Sequence, residues 1–198
     1  MMGDSFERIR QDIIDHPDNA AFLAMGWQPL YTASSDVRVV VVGQAPGIRA
    51  QRSNLPWDDA SGQRLMQWLG VTEATFRDER QMAMLPMDFY YPGKGQSGDL
   101  PPRRDFAPLW HPRLLALMPR VRLFVLVGRY AQQYYLPRHA GKTLTHTVHS
   151  YRDHGPLYFP IVHPSPLNFR WQGKNPWFQE EVVPALQQAV AEALGGDR

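Results

Sequence analysis

Alternating strand-like and helix-like segments predict an α/β chain, a three-layer α/β/α sandwich with a central four-stranded parallel sheet. Two features carry that expectation. Four short runs are apolar throughout rather than alternating apolar with polar, as in strands covered by helices on both faces. Between them, apolar residues recur at helical spacing. Length and charge agree: 198 residues, 43% of them hydrophobic, can bury a core, and a net charge of +2 is too small for a disordered chain. One domain over 1–198 is expected, with an N-terminal helical arm over 1–35.

The first strand falls at 37–42, where Val39-Val40-Val41-Val42 is the longest purely apolar run. The other three fall at 81–86, 122–127 and 157–162. A helical pattern over 61–69 places Leu65, Met66, Trp68 and Leu69 on or near one face. A second over 111–118 carries Leu114, Leu115, Leu117 and Met118, and a third over 130–136 follows Gly128. The last helix has Asn175 as N-cap, Pro176 at its first position and Gly195 beyond its end, while Pro184 inside it predicts a kink or break. There is no internal repeat or low-complexity tract. No run approaches the roughly 18 apolar residues that span a bilayer. Residues 1–8 lack the apolar stretch of a secretory signal, so none is expected.

The chain contains no cysteine. That excludes disulfides, a thiolate nucleophile and cysteine-held zinc or iron–sulfur clusters, and it fits a cytoplasmic location. His139, His146, His149 and His154 lie close in sequence but match no zinc spacing, so they are expected on the surface or in loops, and no metal site or other cofactor is expected.

In parallel sheets ligands bind beyond the carboxyl ends of the strands. Two such places stand out. The first strand runs into Gly43-Gln44-Ala45-Pro46-Gly47, a tight turn in which backbone can approach a ligand closely. The fourth runs into His163-Pro164-Ser165-Pro166-Leu167-Asn168, a rigid turn presenting an imidazole, a hydroxyl and a leucine.

These segments resemble motif A and motif B of the uracil-DNA glycosylase superfamily. Pro56-Trp57-Asp58-Asp59-Ala60-Ser61-Gly62 resembles the stretch after motif A in the type-4 and type-5 enzymes. Order and spacing match as well, so the resemblance covers roughly 37–190. It implies the glycosylase-like sandwich and a monofunctional DNA glycosylase that hydrolyses the N-glycosidic bond of uracil in DNA. By this resemblance His163 stabilises the departing base, a donor role typically worth about 2.7–4 kcal/mol. Gly43, Gln44, Ala45 and Gly47 surround the base and the attacking water, and Ser165 and Asn168 complete the substrate pocket. Trp57 stacks on the extruded base, or else belongs to the core, as most of six tryptophans must. Leu167 enters the stack as a wedge.

Departures from the family pattern leave some roles open. Motif A carries Gln44 and Ala45 where the family places acidic or amide residues, so Asp59 becomes the candidate water activator, with helix capping by Asp59 or Asp58 as its equal alternative. The second strand ends in Leu85-Pro86-Met87-Asp88-Phe89 where many members have an asparagine. Asp88 can accept from the base, and Phe89 can stack in place of Trp57. Gly47 stands where the classical enzymes carry a tyrosine, which implies a pocket roomy enough for other damaged bases. The cysteines that hold a cluster in type-4 and type-5 enzymes are missing. No lysine nucleophile is suggested, so no β-lyase step is expected.

The expected partner is uracil-containing DNA, bound by a monomer without a membrane. The loop over 92–104, with Lys94, Arg103 and Arg104, and the stretch Phe169-Arg170-Trp171-Gln172-Gly173-Lys174 interleave cations with glycines or aromatics, and Lys94, Arg170 and Lys174 are expected to meet phosphates. Two other functions fit the sequence: an inactive protein of the same fold that binds single-stranded or damaged DNA, and an enzyme acting on a free nucleoside or nucleotide.

Overall fold

A computed structural model of the chain describes residues 5–136 and 143–195. In chain order the elements are α1 (Phe6–Asp15), α2 (Ala20–Ala24), β1 (Val39–Val42), α3 (Ile48–Ser53), α4 (Ala60–Leu69), α5 (Glu73–Arg77), β2 (Met82–Met84), α6 (Phe106–Leu115), β3 (Leu123–Val127), α7 (Arg129–Tyr135), α8 (Leu144–His149), β4 (Tyr158–Ile161), α9 (Phe169–Lys174) and α10 (Val183–Gly195). The four strands form one sheet in the order β2-β1-β3-β4, parallel throughout.

Side chains alternate between faces along a strand, so an all-valine strand needs two cores. Val39 and Val41 point into one, with Leu65 and Trp68 of α4 and Leu186 of α10. Val40 and Val42 point into the other, with Ile9 and Ile13 of α1 and Trp110 and Leu114 of α6. That double covering is why the strands read as unbroken apolar runs. The strands are shorter than the sequence suggests, yet their flanks stay paired: Leu85 N–H donates to the Val41 carbonyl at 2.9 Å and Arg122 N–H to the Arg38 carbonyl at 2.8 Å.

Helix ends follow side-chain chemistry in α1, where Ser5 Oγ accepts from Arg8 N–H, and in α4, which ends at Gly70 with φ +68°. Elsewhere the structure differs from expectation. Helix α6 begins at Phe106, five residues before the predicted start, and runs through Pro112, because Phe106, Ala107 and Trp110 are buried in its first turns. Asn175 does not cap the last helix; its side-chain amide donates to the Trp171 carbonyl at 2.8 Å. Pro184 breaks nothing. A π-helical turn at Phe178–Val182 precedes it, and α10 then continues through the proline to Gly195; such wide turns re-route the ladder where a backbone N–H is missing. Among the described residues, no helix is long and apolar enough to cross a membrane.

One buried polar group ties the sheet to its covering helices. His111 in α6 is fully buried. Its Nε2 faces the Pro86 carbonyl at 2.9 Å, so Nε2 carries the proton, and Nδ1 accepts from the Tyr135 hydroxyl at 2.7 Å. Burial pushes its pKa down to about 4, against the opposing effect of the Pro86 carbonyl. Between that value and the ordinary 6.5, the unfolded chain binds a proton that the folded chain does not. Stability therefore rises with pH across this window and falls on acidification, by up to about 1.4 kcal/mol per pH unit from this group. Urea unfolding at a series of pH values should show that slope, and His111→Asn, although less stable overall, should lose this share of it.

Candidate functional site

Beyond the carboxyl ends of β1 and β4 the chain encloses a cavity of about 450 Å³, within the size range of small-molecule sites. The turn after β1 forms one wall. Its carbonyls face the segment after β2, where Met87 N–H donates to Gly43 O at 2.9 Å and Asp88 N–H to Gln44 O at 3.2 Å. Gly47, also on the wall, is the N-cap residue of α3.

Trp57 lies across this wall in a costly backbone conformation, with φ +56°. Left-handed backbone in a bulky residue persists only where its surroundings hold it. Here they do. A Cβ on Gly43 would lie 3.0 Å from Cζ2 of the indole, and one on Gly62 would lie 1.9 Å from the Trp57 carbonyl oxygen. The two glycines thus leave room for the ring and for its backbone. The Pro56 carbonyl is bound by the Arg77 guanidinium. The indole, half-buried, sits 5.6 Å from the His163 ring, tilted by 33°.

Asp59 meets the capping expectation. Its Oδ1 accepts from Gly62 N–H at 2.9 Å, capping α4, and the residue also lines the cavity. Asp58, the other capping candidate, instead pairs with Arg49 at 3.6 Å.

His163 follows β4, and its surroundings fix its chemistry. Ser165 N–H donates to His163 Nδ1 at 3.1 Å. A backbone amide can only donate, so Nδ1 is an acceptor and the neutral ring carries its proton on Nε2. Burial lowers the pKa below 6.5, outweighing Asp59 and Asp99, whose charges act to raise it. The ring is thus neutral at neutral pH. The turn behind it is braced: Asn168 Nδ2 donates to the His163 carbonyl at 2.7 Å, and Leu167 N–H donates to Ser165 Oγ at 3.2 Å. Leu167 is left 84% exposed at the cavity rim.

The loop over 92–104 forms the roof. Lys94 and Asp99 pair as an antiparallel bridge, Gly95 N–H donates to Gly98 O at 2.8 Å, and Leu100 N–H donates to Gly93 O at 2.9 Å. Gln44 ties this hairpin to the wall through Nε2, which donates to the Leu100 carbonyl at 2.9 Å. Tyr91 donates its hydroxyl to Asp99 at 3.3 Å. These hydrogen bonds close the loop into a hairpin, and it bears both charges rather than only the basic ones.

The structure therefore gathers Gly43, Gln44, Ala45, Gly47, Trp57, Asp59, Lys94, His163, Ser165 and Leu167 around one cavity. Five other candidates lie elsewhere. Asp88 is 1% exposed and saturated, bound by Arg103 Nε at 2.7 Å and Nη2 at 2.8 Å and by Tyr90 N–H at 3.1 Å, so it is a structural ion pair rather than a base reader. The same pair ties Arg103, a cation of the roof loop, to the protein itself. Phe89 is fully buried between Tyr31 and His111 and cannot stack on a ligand, which leaves Trp57 as the cavity's aromatic. Asn168 acts from behind, as a brace. Arg170 and Lys174 are exposed on α9, away from the cavity lining.

Trp171, read from sequence as part of that interleaved surface, instead packs inward on Trp177 and Phe178 and donates to Thr145 Oγ1. His146 and His149 are exposed, as expected, but His154 is buried; His139 lies outside the described residues. No cluster that could hold a metal occurs among the described residues. Sequence reasoning missed Ser97 and Asp99 on the roof. Asp99 stood in the loop it singled out, but its place on the cavity depends on the hairpin that the backbone bridge to Lys94 closes.

A family model described as the uracil DNA glycosylase superfamily matches residues 29–187. Among solved structures, the chain is similar to a candidate uracil DNA glycosylase from Methanosarcina acetivorans, determined by NMR in solution, at 14% identity and a TM-score of 0.49, covering 80% of this chain and 94% of the other.

The contact at Gly62 yields a sharp expectation. Gly62→Ala drives a methyl into the Trp57 carbonyl, so it should destabilise by about 1–3 kcal/mol, the range for overpacking, and move the indole. Tryptophan fluorescence and the urea midpoint would register both effects; an unchanged midpoint would mean that Trp57 is not held as described.

Proposed function

The chain belongs to the uracil DNA glycosylase superfamily, and we propose that it is a monofunctional glycosylase that hydrolyses the N-glycosidic bond of uracil in DNA. The observation that carries this reading is the neutral His163, held with Nε2–H as its donor at the wall of a cavity that also contains Trp57 and Asp59. In the reaction the bond between C1′ and N1 breaks, and its electron pair leaves with the base. Negative charge gathers on a base oxygen, where a preorganised neutral donor stabilises it. Water adds its oxygen to C1′, and its proton passes through Asp59 to solvent or to the released base.

The other residues serve that step. Trp57 stacks on the extruded base, a contact worth about 1–3 kcal/mol. Leu167, apolar and almost fully exposed at the rim, fills the gap that the base leaves in the stack. Asp59 keeps Oδ2 for water while Oδ1 caps α4. Gln44 spends its amide N–H on the roof and retains a carbonyl oxygen as acceptor. Around Gly47 a Cβ would meet nothing within 4 Å. That space supports action on bases bulkier than uracil.

Oligonucleotides with one uracil, incubated with protein and then heated in alkali, test the reading. Wild type should leave abasic product, His163→Ala should be about 10²–10³-fold slower, and Asp59→Asn should also be slowed. Salt-dependent DNA binding without abasic product from any base would overturn catalysis in favour of a binding protein. Cleavage at full rate by His163→Ala would overturn the assigned chemistry.

A further inference from the structure

Phe169 is the first residue of α9, directly after the turn that carries His163 and Leu167, and it is 62% exposed. Among the exposed large apolar residues that the structure describes, only Leu167 is more exposed. A single exposed apolar side chain needs no explanation. Two on one braced segment at the rim of a cavity do.

The helix explains why the ring faces outward. Residues two apart on a helix point about 200° apart. Trp171 is anchored inward by Thr145, Trp177 and Phe178, so Phe169 must face solvent. Its support is stiff: the Leu167 N–H, the His163 carbonyl and the Trp171 carbonyl are each bound by a side chain of the same segment. From Leu167 to Phe169 the chain advances by two residues of helical backbone, roughly 3–4 Å along its axis. Successive bases of a strand are spaced about 3.4 Å apart. The Arg170 guanidinium lies 5.7 Å from the Phe169 ring centroid, and Lys174 is exposed on the same helix, so cations able to meet phosphates lie on the helix that carries the ring.

We infer that Phe169 is a base-stacking platform: while Leu167 fills the gap left by the extruded nucleotide, the Phe169 ring stacks on the neighbouring nucleobase. This rests on the DNA substrate of the preceding section and adds a second contact to it. The platform reads no sequence, because every base offers a flat face. It grips the strand beside the lesion independently of what occupies the cavity.

The test uses binding rather than turnover. Single- and double-stranded oligonucleotides carry a tetrahydrofuran abasic analogue with 2-aminopurine on its 5′ or 3′ side, at one fixed salt concentration. Wild type should bind and change the 2-aminopurine fluorescence on one side. Phe169→Ala should bind roughly 5- to 150-fold more weakly, the range for one lost base–aromatic stack, and lose the fluorescence change, while Phe169→Trp should restore both. As the ring is exposed, the melting temperature of Phe169→Ala should be unchanged.

Equal affinity and an equal fluorescence response in wild type and Phe169→Ala would overturn the platform. So would self-association of the wild type that Phe169→Ala abolishes, since it would assign the ring to a second copy. If wild type excises uracil while Phe169→Ala binds normally, only the platform fails. If wild type shows the Phe169-dependent stacking but releases no base, the platform stands and the glycosylase reading fails.

Discussion

The site depends on one hydrogen bond, from the Ser165 backbone N–H to Nδ1 of His163. Backbone at that point can only donate, so it assigns the ring's acceptor and thereby its donor. Burial supplies the other half of the constraint by disfavouring the charged ring. A protonated ring would have to place a hydrogen where Ser165 already points one. The carbonyl brace from Asn168 and the hydroxyl of Ser165 keep that amide in place. A turn with prolines at 164 and 166 adds stiffness, since each fixes its own φ. His163, Leu167 and the start of α9 are therefore tied together within one hydrogen-bonded segment.

On the wall after β1, packing sets the conformation of Trp57. Trp57 occupies left-handed backbone because Gly43 and Gly62 yield the space that its ring and carbonyl need. The strain belongs to the site; the burial of Leu65 and Trp68 in α4, which Asp59 caps, helps sustain it. Asp59 thus joins the two walls: it terminates the helix that contains Gly62 and faces the cavity that contains His163. The roof is attached to this frame through Gln44 and Tyr91 and, at its far end, through the Arg103–Asp88 pair, so motif A helps position the roof as well as the wall.

Much of this arrangement is legible in the sequence. The sheet is, because strands buried on both faces leave an unmistakable apolar signature, and the two turns are, because proline and glycine directly after such strands mark sites in parallel sheets. The short helices α3, α5, α8 and α9 are not. Each has five or six residues, too few for a hydrophobic period to show. The fate of Asp88 is hidden for another reason. Its partner Arg103 lies 15 residues away across the roof loop, and nothing local distinguishes a paired carboxylate from a ligand-facing one. Phe89 is misplaced likewise, because only the tertiary fold puts Tyr31 and His111 on its two sides. The glycines at 93 and 98 suggest flexibility, yet their positive φ angles serve a hairpin that the Lys94–Asp99 bridge closes.

The most direct measurement is of the proton on His163. In a long-range ¹H–¹⁵N spectrum at neutral pH, with the ring assigned by its loss in His163→Ala, the account predicts a neutral imidazole with hydrogen on Nε2 and an unprotonated Nδ1, titrating below 6.5. A ring carrying its hydrogen on Nδ1, or one already charged at neutral pH, would contradict it. Either would leave the cavity without the neutral donor on which the proposed chemistry is built.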